Sequence, residues 1–188
     1  MWSHESGAAL GRAGRWLVAV AVAAMMAGCF QPLYGERTET GGSELRQKLA
    51  AVDVVQIAAP QGTPDARVAV ELRNDLLFQL YGGSGAVSPT HRLNIKMTTS
   101  KSALIVDIAT GRTVAEITGI DVTYTLVELA TGKVVVNGTS FSRVSSDVPG
   151  LQQRFARARA QRDAENRAAG VVADEIKTRL ASYMVART

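Results

Sequence analysis

From Arg92 to Ser146 apolar and polar residues alternate, which is the period of strands with one buried face. Leu93, Ile95 and Met97 alternate with polar neighbours, and Ile120, Val122, Tyr124 and Leu126 alternate with Asp121, Thr123 and Thr125. Two near-identical turns, Ala109-Thr110-Gly111 and Ala130-Thr131-Gly132, interrupt the pattern, and each is followed by a base, Arg112 or Lys133. The pattern predicts a three-stranded antiparallel meander over residues 92–108, 113–129 and 133–146. Asn137-Gly138 inside the last strand suggests a bulge. Serines 140, 142, 145 and 146 predict a polar, solvent-facing end to that strand.

On either side of the meander the period becomes helical. Val68, Leu72, Leu76 and Leu80 recur every fourth residue, flanked by Ala69 and Leu77, as in a helix lying on a sheet. Its ends are marked: Thr63 can cap the first amides, Pro64 suits the first helical position, Asp65 complements the dipole, and Gly82-Gly83 closes it. After Val148-Pro149-Gly150 a long helix is predicted over about residues 151–186. Its second half carries a core stripe of Ala168, Val172, Ile176, Leu180 and Tyr183. Before the first helix, the β-branched stretch Val52 to Ile57 predicts a strand stopped by Pro60-Gln61-Gly62. The order β-α-β-β-β-α implies an α+β two-layer sandwich, with two helices packed on a four-stranded, mostly antiparallel sheet.

The first 28 residues do not fit this pattern. Arg12 and Arg15 precede an unbroken apolar run from Trp16 to Ala27, followed by Gly28-Cys29. A bilayer-spanning helix needs about 20 apolar residues, so this shorter run has the length and charge order of a signal peptide. Cleavage would remove His4, Glu5 and both tryptophans. Cys29 is the sole cysteine, and Met26-Ala27-Gly28-Cys29 resembles a bacterial lipobox, in which the thiol is acylated and the chain is cut before it. The alternative is a free buried thiol, a liability in an oxidising compartment. Two acyl chains are enough for stable anchoring. Residues 36–48 carry charges and Gly41-Gly42 without apolar periodicity and read as a tether or loop. The chain thus divides into a signal peptide (1–28), a lipidated tether (29–50) and an α+β domain (51–188).

Composition narrows the chemistry. The 188 residues carry 21 Lys+Arg against 17 Asp+Glu, a net charge of +4, which favours anionic partners. One cysteine and two histidines (His4 and His91) exclude a disulfide framework and leave little for a metal site. There is no HExxH, no GxSxG and no complete P-loop. His91 lies two residues after Pro89 and reads as a solvated or capping histidine, and Asp163 and Glu165 read as solvated surface partners of Arg162 and Arg167. No enzyme and no cofactor is expected. Arg154, Arg157, Arg159, Arg162 and Arg167 crowd the start of the last helix. This run reads either as a solvated face or as an anion-binding surface, since Arg holds phosphate bidentately. Export would remove nucleic acid as a target and leave lipid phosphates.

Gly28-Cys29-Phe30-Gln31-Pro32-Leu33-Tyr34-Gly35 resembles the junction of the LptE family of lipopolysaccharide-assembly lipoproteins, in its alphaproteobacterial branch. Arg162 to Tyr183 is similar to that branch's closing helix. The resemblance implies a non-catalytic outer-membrane lipoprotein, held by its lipid anchor on the periplasmic side and inside the LptD β-barrel. Such a protein would plug the barrel, assist its assembly and bind lipopolysaccharide during transport to the outer leaflet. The positions nearest the basic residues implicated in that binding are Lys101, Arg112, Arg154, Arg157, Arg159 and Arg162. A plug calls for a rigid body with a polar exterior and no large apolar patch, which serine- and threonine-rich strands would supply. The alternative is a general periplasmic binding or assembly lipoprotein unrelated to lipopolysaccharide.

Overall fold

The computed structural model describes residues 38–82, 87–148, 150 and 153–186, with side chains from residue 44 onward. The predicted signal peptide, Cys29 and the junction Gly28–Gly35 lie outside the described residues. The elements are α1 (Thr38–Ala50), β1 (Val52–Val54), α2 (Pro64–Tyr81), β2 (His91–Val106), β3 (Thr113–Glu128), β4 (Val134–Asp147) and α3 (Arg154–Ala186). From β1 onward this is the β-α-β-β-β-α order expected, an α+β fold. Where the charge pattern predicts a tether, the chain is helical: Lys48 pairs with Glu44 one turn earlier at 2.8 Å, and α1 ends by burying Leu49 and Ala50. Leu45 also packs against the core one turn before Leu49, but so short a stripe gives no periodic signal.

The strands form one sheet in the order β1-β2-β3-β4. β1 runs parallel to β2, pairing Val52 with His91 and Val54 with Leu93. Parallel neighbours need a crossover, and α2 supplies it. Its ends follow the sequence signals: Thr63 Oγ1 accepts the Ala66 amide at 3.3 Å, and Gly82, at φ 56°, donates its amide to the Phe78 carbonyl. β1 is shorter than the predicted strand, although the Val55 amide still donates to the Leu93 carbonyl at 3.1 Å.

The two Ala-Thr-Gly turns have the same backbone. Asp107 N–H donates to the Arg112 carbonyl at 2.8 Å, Glu128 N–H donates to the Lys133 carbonyl at 2.9 Å, and the amides of Gly111 and Gly132 return to Asp107 and Glu128. Both glycines have positive φ, 64° and 67°, a conformation that other residues adopt only with strain. The predicted bulge at Asn137-Gly138 is displaced. Those residues pair regularly with Thr125 and Tyr124, and the irregularity falls where Leu126 pairs with Val136 and Val127 with Val134. Gly138 has a packing reason instead: a Cβ there would lie 2.6 Å from Tyr124 Oη. The aromatic ring occupies the space beside it.

One sheet face packs on α2 and α3, burying Leu72, Leu76, Leu80, Leu93, Ile120, Leu126, Ile176 and Leu180 almost completely. Ala164, Ala168, Ala169, Ala173 and Ala181, all fully buried, keep α3 close to its neighbours. The other face is exposed and mostly polar, with Thr98, Asp121, Thr123, Asn137, Thr139 and Arg143 around the exposed Phe141. Ser140 and Ser142 depart from the prediction: both are buried on the helix side, and Ser140 Oγ donates to the Glu175 carboxylate.

Candidate functional site: the arginine end

The helix-facing side of the sheet changes character along its length. On β2 it runs from Leu93 and Ile95 through Met97 to Thr99 and Lys101; on β3 it runs from Leu126, Tyr124, Val122 and Ile120 to Thr118 and Glu116. α3 changes in step, from Leu180, Ile176 and Val172 back to Glu165, Gln161 and Arg157. At one end, therefore, the hydrophobic core gives way to ion pairs.

Glu165 is the centre of that polar end. The sequence places it among solvated surface charges; the structure buries its side chain to 3 % exposure. It accepts from Lys101 Nζ at 2.8 Å, from Gln161 Nε2 at 2.9 Å and from the Arg67 guanidinium, which also holds Asn166 Oδ1 at 2.9 Å. One carboxylate thus ties β2, α2 and α3 together. Burial alone would raise its pKa, but the hydrogen bonds from Lys101, Gln161 and Arg67 and the Lys101 charge outweigh it, and the carboxyl is held below its ordinary value. Beside it, Thr99 donates to Asp65 at the start of α2. A cavity of about 200 Å³ lies among Asp65, Val68, Thr99, Lys101, Thr118 and Glu165. Asp163 meets the expectation for a surface charge, pairing with Arg167 at 2.8 Å in solvent.

The six candidate cations therefore separate. Lys101 is committed to Glu165, and Arg157 pairs with Glu116 at 3.0 Å. Arg112, Arg154, Arg159 and Arg162 are exposed, and no ion pair holds them among the described residues. Arg159 and Arg162 border a shallow depression with Asp163 and Asn166. Arg112 closes the β2–β3 turn, where Asp107 Oδ1 accepts the Thr110 amide; that hydrogen bond, first among several contacts, holds the Asp107 carboxyl below its ordinary value.

This end is also where the exterior is least polar. Leu104, Ile105, Val106, Ile108 and Val114 of the hairpin are exposed, as is Phe155 at the start of α3, against the expectation of an exterior without a large apolar patch. His91 opens β2 at the opposite end. Its Nδ1 lies 2.8 Å from Thr90 Oγ1, and its ring meets Tyr183 edge-on at 6.4 Å. Among the described residues no group of acidic, His or Cys side chains is placed to hold a metal ion, and no helix is long and apolar enough to cross a membrane.

Comparison with solved structures returns the same fold in two lipoproteins. A lipoprotein from Caulobacter crescentus matches with TM-score 0.56 at 21% identity, over 76% of this chain and 97% of that one. A minor lipoprotein from Acinetobacter baumannii matches with TM-score 0.51 at 12% identity, over 71% and 92% of the two chains. Rare lipoprotein B from Shewanella oneidensis matches with TM-score 0.49 at 14% identity, over 71% and 96%. A comparison with curated proteins gave no match. The family model described as LptE, lipopolysaccharide-assembly, matches residues 49–180, which span the sandwich from the end of α1 into the last turns of α3. The chain belongs to the LptE family.

Proposed function

We propose that the chain is a non-catalytic lipoprotein of the outer membrane, anchored through an acylated Cys29, which partners the LptD β-barrel and binds lipopolysaccharide at its arginine end. The observation that carries this reading is the set of exposed cations that no ion pair holds among the described residues (Arg112, Arg154, Arg159 and Arg162), at one end of a sandwich whose family assembles lipopolysaccharide. Guanidinium groups suit phosphate geometry, and lipopolysaccharide is the phosphorylated amphiphile the family name supplies. Arg157 belongs to the same surface through its outer turn, while Lys101 supports it from beneath by holding Glu165 in place.

The test is affinity purification of the processed protein from its own envelope. Stoichiometric recovery of a large β-barrel, with surface lipopolysaccharide lost on depletion, supports the reading. An intact lipopolysaccharide surface accompanied by a cell-wall defect would favour a general assembly lipoprotein instead. Cys29→Ala should give an unlipidated precursor; normal fatty-acid labelling of that variant contradicts the anchor. Binding through exposed arginines should weaken with salt, because such charges are screened over about 8–10 Å.

A further inference from the structure

The β2–β3 hairpin, a two-stranded ribbon, forms the arginine end of the sheet, its turn projecting just past β4. β4 makes its last pairing at Asp147 with Ala115, whereas β2 and β3 continue to Val106 and Thr113. Val148 N–H still donates to the Val114 carbonyl at 2.9 Å, so only Val106, Thr113 and the turn between them pass β4, yet Ala103 to Val106 are exposed on both faces. An exposed apolar cluster of this kind marks an interaction surface. The twin turn at the other end of the sheet provides the comparison. Leu129 there is 37% exposed and the equivalent Ile108 is 100% exposed, although both turns close with the same hydrogen bonds. The same turn thus leaves its apolar residue partly covered at one end of the sheet and wholly in solvent at the other.

The charges nearby indicate what meets the ribbon. Arg112 closes its turn, and the Arg157–Glu116 pair fixes the start of α3 at the ribbon's root, since Glu116 lies opposite Ala103. Arg154, Arg159 and the 89%-exposed Phe155 flank that pair on the helix. Large apolar side chains beside arginines are the pattern of elements that enter a lipid interface, with cations at the headgroups and apolar groups below them. A soluble anion would engage the arginines and leave the ribbon in water.

We infer that the ribbon is an acyl-chain site: Leu104, Ile105, Val106 and Ile108 enter the acyl layer of an anionic lipid assembly, while Arg112, Arg154 and Arg159 hold its phosphates. This rests on the lipopolysaccharide reading above and adds that recognition reaches the hydrocarbon.

The chain's two tryptophans, at positions 2 and 16, allow a local probe. Full-length protein carrying Trp2→Phe, Trp16→Phe and Ile108→Trp has one indole, on a side chain that touches nothing, so the fold is kept. With phosphatidylcholine vesicles containing lipid A, its emission should shift to the blue and be quenched by brominated acyl chains; without lipid A it should stay water-like. The readout is local to the ribbon, so a leader or anchor in the bilayer does not imitate it. Retention of the unaltered chain on lipid A-coated beads in excess of that on phosphatidylcholine-coated beads, measured in parallel, tests the underlying reading. Leu104→Ser with Ile108→Ser should weaken retention about a hundredfold, about tenfold for each buried side chain. De-acylated lipid A should compete poorly. An indole that stays water-like while the beads retain the protein overturns the acyl site and leaves lipopolysaccharide binding standing. Beads that retain nothing overturn both.

Discussion

Replacing Glu165 with glutamine tests whether one buried carboxylate fastens the arginine end. Its side chain is 3% exposed and faces Lys101 Nζ at 2.8 Å, the Arg67 guanidinium and Gln161 Nε2 at 2.9 Å. Removing one partner of a buried ion pair costs about 3–5 kcal/mol. Here Lys101 and Arg67 keep 36% and 35% of their side-chain surface exposed and can regain water, so the expected loss at pH 7 is about 2–3 kcal/mol. For a domain of this size that lowers Tm by about 4–12 °C. Thermal and urea unfolding followed by circular dichroism measures it. The pH dependence fixes the sign: the folded carboxyl titrates below its ordinary value of 4.5, so its contribution is present above that pH and fades as pH falls through the lower folded value. The two proteins should therefore converge in strongly acidic solution. Equal stability at pH 7, or a gap unchanged down to pH 3, would refute the assignment.

Gly138→Ala should cost about 1–3 kcal/mol by overpacking, because the new Cβ would lie 2.6 Å from Tyr124 Oη and 2.7 Å from Tyr124 Cζ; adding Tyr124→Leu should recover part of the loss in urea titrations. Leu76→Ala and Ile176→Ala, each at a fully buried position, should cost about 2–5 kcal/mol, and a change under about 0.5 kcal/mol would remove them from the core. Lys101→Met should cost about 1–2 kcal/mol because Arg67 still holds Glu165, whereas Arg159→Ser should alter stability by less than about 0.5 kcal/mol and reduce lipid retention instead.

The sandwich was legible in the sequence because its elements carry strong, uncontradicted signals. α2 has a leucine stripe and both caps, and the meander has alternation between two glycine turns that need positive φ. What escaped depends on partners distant in sequence. Ser140 and Ser142 look like solvent-facing serines until α3 covers them, supplying Glu175 to Ser140. Gly138 reads as a bulge, although it makes room for a tyrosine on the neighbouring strand. Glu165 resembles its neighbour Asp163 in a charged stretch, yet it precedes Ala168 and Ala169 by one helical turn, in phase with the buried stripe. That phase was the available signal, and Lys101, 64 residues away in sequence but 2.8 Å away in space, was the missing partner. The cations of α3 were visible from composition; that Arg157 is paired depends on Glu116 of β3, which the helix sequence does not show.

β1 covers only the first residues of β2, and among the described residues β4 has a single neighbour, β3. Both margins of the sheet consequently offer rows of backbone donors and acceptors to any extended peptide that approaches. Strand docking between copies, rather than failure of the leucine core, should therefore govern how the isolated domain behaves when concentrated. Arg143 near one margin is held by Asp121 at 2.8 Å, whereas Lys96 on the other is exposed, and the chain's net charge of +4 repels copies most strongly in dilute salt. Low ionic strength should hold copies apart, and high salt should let them zip together.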